Sequence, residues 1–123
     1  MPKTYTPIAT TTLASAAATY TFSSIPATYT DLVLISSGSN ASAALYVQAG
    51  NGSIDTGSNY SYTYVVGDGS TSASGRSSNN TKVFITLTSG TGKIQVARTN
   101  FMNYQNTSVN KTILTRYDDP ESY

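Results

Sequence analysis

Residues 50–69, GNGSIDTGSNYSYTYVVGDG, read as turn, strand, turn. Glycine-flanked bends at 50–52 and 67–69 bracket a run of alternating side chains, with Tyr60, Tyr62 and Tyr64 on one side and Ser61, Thr63 and Val65 on the other. A period of two puts alternate side chains on opposite faces of a strand. Gly and Asn in the flanking bends supply the positive φ that tight turns need. The stretch therefore predicts an antiparallel-type strand with a tyrosine ladder on one face.

Upstream, residues 43–49 (AALYVQA) set Leu45 and Val47 against Tyr46 and Gln48, and residues 31–36 (DLVLIS) contain an unbroken aliphatic run. Such a run fits a strand buried on both faces, or the central strand of a sandwich. Residues 19–25 (TYTFSSI) alternate with Tyr20 and Phe22 on one side until Pro26 stops them. Residues 5–13 carry Pro7 and suit an edge strand or an extended arm. The alanine-rich run at 14–18 is too short to hold a helix and reads as a turn.

Downstream, residues 70–80 (STSASGRSSNN) lack any large apolar side chain and predict a long exposed loop. Residues 81–88 (TKVFITLT) predict a strong strand with Val83, Ile85 and Leu87 inward and Phe84 facing out. Residues 89–92 read as a hairpin turn. Residues 93–104 follow as a long strand, with Ile94 and Val96 aligned and a bulge near 98–100, and residues 109–116 form the last strand. No segment has helical apolar spacing over three turns. About eight short strands separated by turns imply an all-β fold, an antiparallel β-sandwich of jelly-roll type. The expected organisation is an extended arm and first edge strand in residues 1–18, the sandwich in 19–116 and a tail in 117–123.

The chain has 123 residues, one domain by size. Charged residues are 11% of it, well under the roughly 25% of ordinary globular domains. With a net charge of +1 there is no broad field to draw nucleic acid or an anionic membrane to the surface. No window approaches the ~18 apolar residues of a membrane span. The N-terminal stretch lacks a continuous apolar core, so no secretory signal is expected there.

The chemistry available is limited. There is no Cys, His or Trp, which removes thiol and Ser-His-Asp catalysis and the preferred zinc ligands. Glycoside hydrolysis needs two facing carboxylates, and outside the acidic tail the candidates are Asp31, Asp55 and Asp68. Turn aspartates more often cap local amides. No enzyme and no cofactor is therefore expected. Asp55, Thr56, Asn59 and Asp68 offer oxygen ligands of the kind calcium takes, though without an EF-hand pattern, and no metal is assigned. The ten tyrosines supply rigid amphipathic area, suited to roofing a core, to protein contact or to stacking on sugars.

Residues 25–34 (IPATYTDLVL), 55–61 (DTGSNYS), 102–104 (MNY) and 111–114 (KTIL), preceded by 8–13 (IATTTL), together resemble a group of tailed-phage virion structural proteins from marine and freshwater phages. The resemblance runs along nearly the whole chain in the same order, and it carries no catalytic motif. It implies a β-sandwich module displayed on the particle, with the capsid surface as the preferred location and the tail as the alternative. Such proteins continue past the strand matching residues 112–116, whereas here seven residues follow, so the sandwich is expected to be completed by neighbouring subunits. The partners implied are the major capsid protein and further copies of the chain, in a trimer. Tyr5 and Ile8 of the arm, the ladder Tyr60, Tyr62 and Tyr64, and Tyr117 and Tyr123 of the tail are the expected contact residues. The alternative is a tail-fibre or receptor-binding module that takes host-surface glycans on the tyrosine face.

Overall fold

The structure, a computed structural model, describes residues 5–39, 43–67, 69–89 and 91–118. In chain order the strands are β1 (Leu32–Gly38), β2 (Leu45–Val47), β3 (Gly50–Asn51), β4 (Ser53–Ile54), β5 (Tyr60–Gly67), β6 (Ser72–Asn80), β7 (Val83–Thr86), β8 (Gln95–Met102) and β9 (Thr112–Tyr117). Because β3 and β4 have only 2 residues each, seven strands are of three residues or more. All pairings among the described residues are antiparallel, and none of these residues is helical. The sheets are β1–β8–β9, β2–β7, β3–β4 and β5–β6. The all-β, antiparallel expectation holds.

In the three-stranded sheet, directly opposed residues share a face. Leu34, Thr99 and Thr115 form one such row, and Ser36, Ala97 and Tyr117 the next; all are buried or half-buried. The opposite face carries Ile35 beside Arg98 and Arg116, and Val33 beside Asn100 and Leu114. The central strand is β8, and β1 lies at an edge, so the aliphatic run of β1 does not mark a strand covered on both faces. Ile35 is 60% exposed. Ile94 and Val96 are aligned as expected and both are exposed, whereas Gln95, Ala97 and Thr99 are buried. Both of its pairings run without a bulge. Thr99 and Thr115 satisfy each other through an Oγ1–Oγ1 hydrogen bond of 3.0 Å. Neither atom of the buried Gln95 carboxamide has a hydrogen-bond partner.

The strand enclosed on both sides is β7, where Val83, Ile85 and Thr86 are buried and Phe84 half-buried. Leu87, expected inside, is exposed. β7 pairs with β2 and not with β8, so residues 89–92 link two sheets instead of closing a hairpin. Gly92 turns there with a φ of 78°.

The expected loop at 70–80 is strand β6, in register with β5 over Gly67↔Ser72 to Tyr62↔Ser77. Pairing needs backbone groups, not apolar side chains, and small residues leave room for the rings of β5. Tyr64 lies over its cross-strand partner Gly75, where a Cβ would come within 2.6 Å of the Tyr64 Oη. A bulge between Tyr60 and Tyr62 is accommodated by Asn79, with φ at 56°.

Residues 5–31 contain no strand; the edge strand expected at 5–13 and the strand expected at 19–25 are absent, and the unpaired arm runs beyond residue 18. The arm is held at both ends, at Tyr5 by the Arg98 guanidinium and at its far end by β8 and the turn after it. Asn103 N–H donates to the Asp31 carboxylate at 2.6 Å, Tyr104 N–H to the Thr30 carbonyl at 2.6 Å, and Tyr104 Oη to the Ile25 carbonyl at 3.1 Å. Asn103, in the left-handed region at φ 58°, turns the chain out of β8 at that point, and Lys111 Nζ donates to its carbonyl at 2.8 Å.

Candidate functional site

Phe84 is the point at which the sheets meet. Its ring centroid lies 5.9 Å from that of Tyr46 on β2, 6.1 Å from Tyr62 and 6.3 Å from Tyr64 on β5, and 6.3 Å from Tyr117 on β9. Edge-to-face geometry with Tyr46 and Tyr117 and stacking with Tyr62 are the arrangements favoured by the ring quadrupole. The expectation that Phe84 faces out is therefore corrected. On a strand covered from both sides, the residue that breaks the alternation is as enclosed as its neighbours. Lys82 extends the cluster to the surface, with its Nζ 4.1 Å above the Tyr46 ring.

Of the tyrosine ladder, Tyr60 and Tyr62 are half-buried and Tyr64 is exposed. Tyr62 and Tyr64 pack on Phe84. Tyr60 instead fixes the β3–β4 hairpin: its Oη accepts from Ala49 N–H at 3.1 Å and lies 2.9 Å from the Ala49 carbonyl and 3.0 Å from that of Asp55. Tyr117 closes β9 on the inner side of its sheet, and the next residue extends the pairing, Asp118 N–H donating to the Val96 carbonyl at 3.2 Å and the Asp118 carboxylate accepting from Val96 N–H. Tyr123 lies outside the described residues. Of the expected contact residues, Tyr5 and Ile8 keep the most open surroundings, at 61% and 43% exposed.

The carboxylates serve local structure. Asp55 accepts from Gly57 N–H at 2.8 Å and from the Asn59 carboxamide at 3.0 and 3.1 Å, the capping role ordinary for a turn aspartate. Asp31 is engaged by Asn103, and Asp68 lies outside the described residues. Among the described residues no group of three acidic side chains could hold a metal ion.

Two depressions open along β5, one shared with β6 and the other with β9. One, about 330 Å³, is a wide groove lined by Ser61, Tyr62, Thr63, Arg76, Ser77 and Ser78. The other, about 130 Å³, lies between Val65, Val66, Gly67 and Tyr117. The first combines hydroxyls, an aromatic ring and one cation. Arg76 stood in the stretch read as loop, so its place opposite Thr63 was not visible in the sequence.

Compared with family models, curated proteins and solved structures, the chain matches none of them.

Proposed function

We propose that the chain is a structural protein of a tailed-phage virion, a capsid decoration protein that binds the assembled head as a homotrimer and stabilises it. In this reading the sheets form a β-sandwich whose open seams are covered by neighbouring subunits and by the major capsid protein. The supporting observation is unburied surface. A folded monomer of 13.0 kDa presents about 6,300 Å² to solvent, whereas this chain presents 9206 Å². The surplus, about 2,900 Å², includes the exposed arm, and obligate subunit interfaces cover roughly 2,000–5,000 Å² counted over both partners. Val83, Ile85 and Ala97 are the buried apolar residues among those described, while Ile35, Val96, Leu114 and Val65 stay open. A protein that binds only the assembled shell stabilises it by mass action, with no chemical step.

Deleting residues 1–12 or 119–123 is expected to lower occupancy on purified heads about tenfold, equivalent to roughly 1.4 kcal/mol of contact. Densitometry of the particle proteins measures it, and full occupancy by both shortened chains counts against the assignment.

A glycan-binding tail module is the second reading, favoured by the hydroxyl-lined groove beside Tyr62 and Arg76. Because Tyr62 also packs on Phe84, the variant to use is Arg76→Ala together with Tyr62→Phe. Sugar binding on a glycan array that the wild-type chain shows and the Arg76→Ala chain loses would favour this reading over decoration.

A further inference from the structure

We infer that residues 5–24 form an exchange arm that lies across the outer face of β1–β8–β9 of a second copy of this chain, with Tyr5 seated on that copy's Arg98. The inference rests on the assembly reading and specifies which segment makes the contact.

The acceptor site is visible within one chain. Arg98 donates from its guanidinium to Tyr5 Oη at 2.7 Å, and the guanidinium carbon lies 5.6 Å from the centre of the Tyr5 ring. Around Arg98 on the same face stand the exposed apolar side chains Ile35, Val96 and Leu114. The arm carries the complementary set. Ile8 and Leu13 are open, and Tyr20 and Phe22 hold each other edge-to-face at 5.0 Å while Tyr20 remains 52% exposed. Residues 6–24 are all exposed, so in a single chain the arm brings Tyr5 to the sheet but leaves its other apolar groups in water.

That balance favours exchange. Ordering a backbone residue costs roughly 1–2 kcal/mol, and one exposed hydrogen bond with a cation–π contact does not hold twenty residues in place. The same contact made on a neighbour, with the arm's apolar groups laid on its open face, adds burial that the single chain lacks. Reach is not limiting. Twenty extended residues span about 65 Å, against a radius of gyration of about 14 Å for a compact domain of this length. The hinge is identifiable too. Ser24 has a φ of 57°, in the region that L-residues seldom occupy, next to the Ile25 carbonyl held by Tyr104. Ile25, Thr30 and Asp31 just beyond that point are held by Tyr104 and Asn103, and the residues before it can be handed to another copy.

The chain has no cysteine, so single thiols report contacts cleanly. Full-length chains carrying Thr6→Cys and, separately, Arg116→Cys with a size tag are unfolded together, refolded and treated with a short bismaleimide. Thr6 adjoins Tyr5, and Arg116 opposes Arg98 on β9. Exchange predicts a crossed product containing one chain of each kind, reduced about fivefold when Tyr5→Ala is added, the loss expected for one exposed cation–π contact. The double variant Thr6→Cys/Arg116→Cys, refolded alone, is expected to yield covalent multimers. If it yields only internally linked single chains while sedimentation still shows an oligomer, exchange is overturned and the assembly reading stands. A monomer by sedimentation with no crossed product overturns both.

Discussion

Phe84→Ala is expected to destabilise the chain by about 3 kcal/mol, the lower range for deleting a large core ring that is not fully enclosed. Four tyrosines from three other strands converge on this side chain, and an alanine there leaves a void that none of them can fill without leaving its own strand position. For a domain of this length the midpoint of thermal unfolding should fall by roughly 10 °C or more. Val65→Ala supplies the comparison, since Val65 sits on β5 between Tyr64 and Val66 but is 82% exposed. That change is expected to remain within about 0.5 kcal/mol. Denaturant titration of both variants against the wild type measures the difference. Equal midpoints for the two would remove Phe84 from the centre of the fold.

The second large effect is expected at Gly50. A Cβ there would run into the Ser53 carbonyl and come within 2.7 Å of the Ile54 Cα, both backbone positions that cannot swing aside. The Gly50↔Ile54 pairing must therefore open in Gly50→Ala. With it loosens Ala49, whose N–H and carbonyl hold the Tyr60 hydroxyl and whose carbonyl also accepts from Asp55 N–H at 3.0 Å. Overpacking plus a disturbed part-buried hydrogen-bond group amounts to about 2–3 kcal/mol. Amide exchange at Asp55 should accelerate at least about tenfold, the factor for 1.4 kcal/mol of local opening. Gly38→Ala is the matched control, because an added Cβ there meets nothing within 4 Å. Unchanged exchange at Asp55 in Gly50→Ala would mean that the hairpin does not depend on this approach.

Most strands were legible because their cues are local. The alternation of 60–64 and the branched run of 83–86 mark β5 and β7 directly, and the glycine turns delimit them. What escaped the sequence depends on partners. β6 has no large apolar side chain to announce it, and it is a strand because β5 offers it a backbone edge. The aromatic alternation at 19–25 predicted a strand, yet a strand exists only where another pairs with it, and none of the described residues does so. On β8 the alignment of Ile94 and Val96 did not say which face is inner; a small alanine and two threonines that satisfy each other across β8 and β9 suit the interior there. Phe84 was misplaced for a related reason: the period-two rule supposes one wet face, and β7 has none. The contact tyrosines were found as residues but not as surfaces, since composition reveals rings without revealing which way they turn.

The glycine beneath Tyr64 has a consequence for how the polar hairpin keeps its alignment. A strand such as β6, built of serines, asparagines and one arginine, offers no greasy side to tell one offset from the next, and pairings of that kind are prone to slide. Gly75 is the one position in β6 bare enough to receive the neighbouring ring, so a shift by a residue would drive that ring against a serine or an arginine side chain. The aromatic seat thus acts as a key in a slot, setting the offset of nine otherwise interchangeable residues and, through it, where Arg76 stands beside the groove.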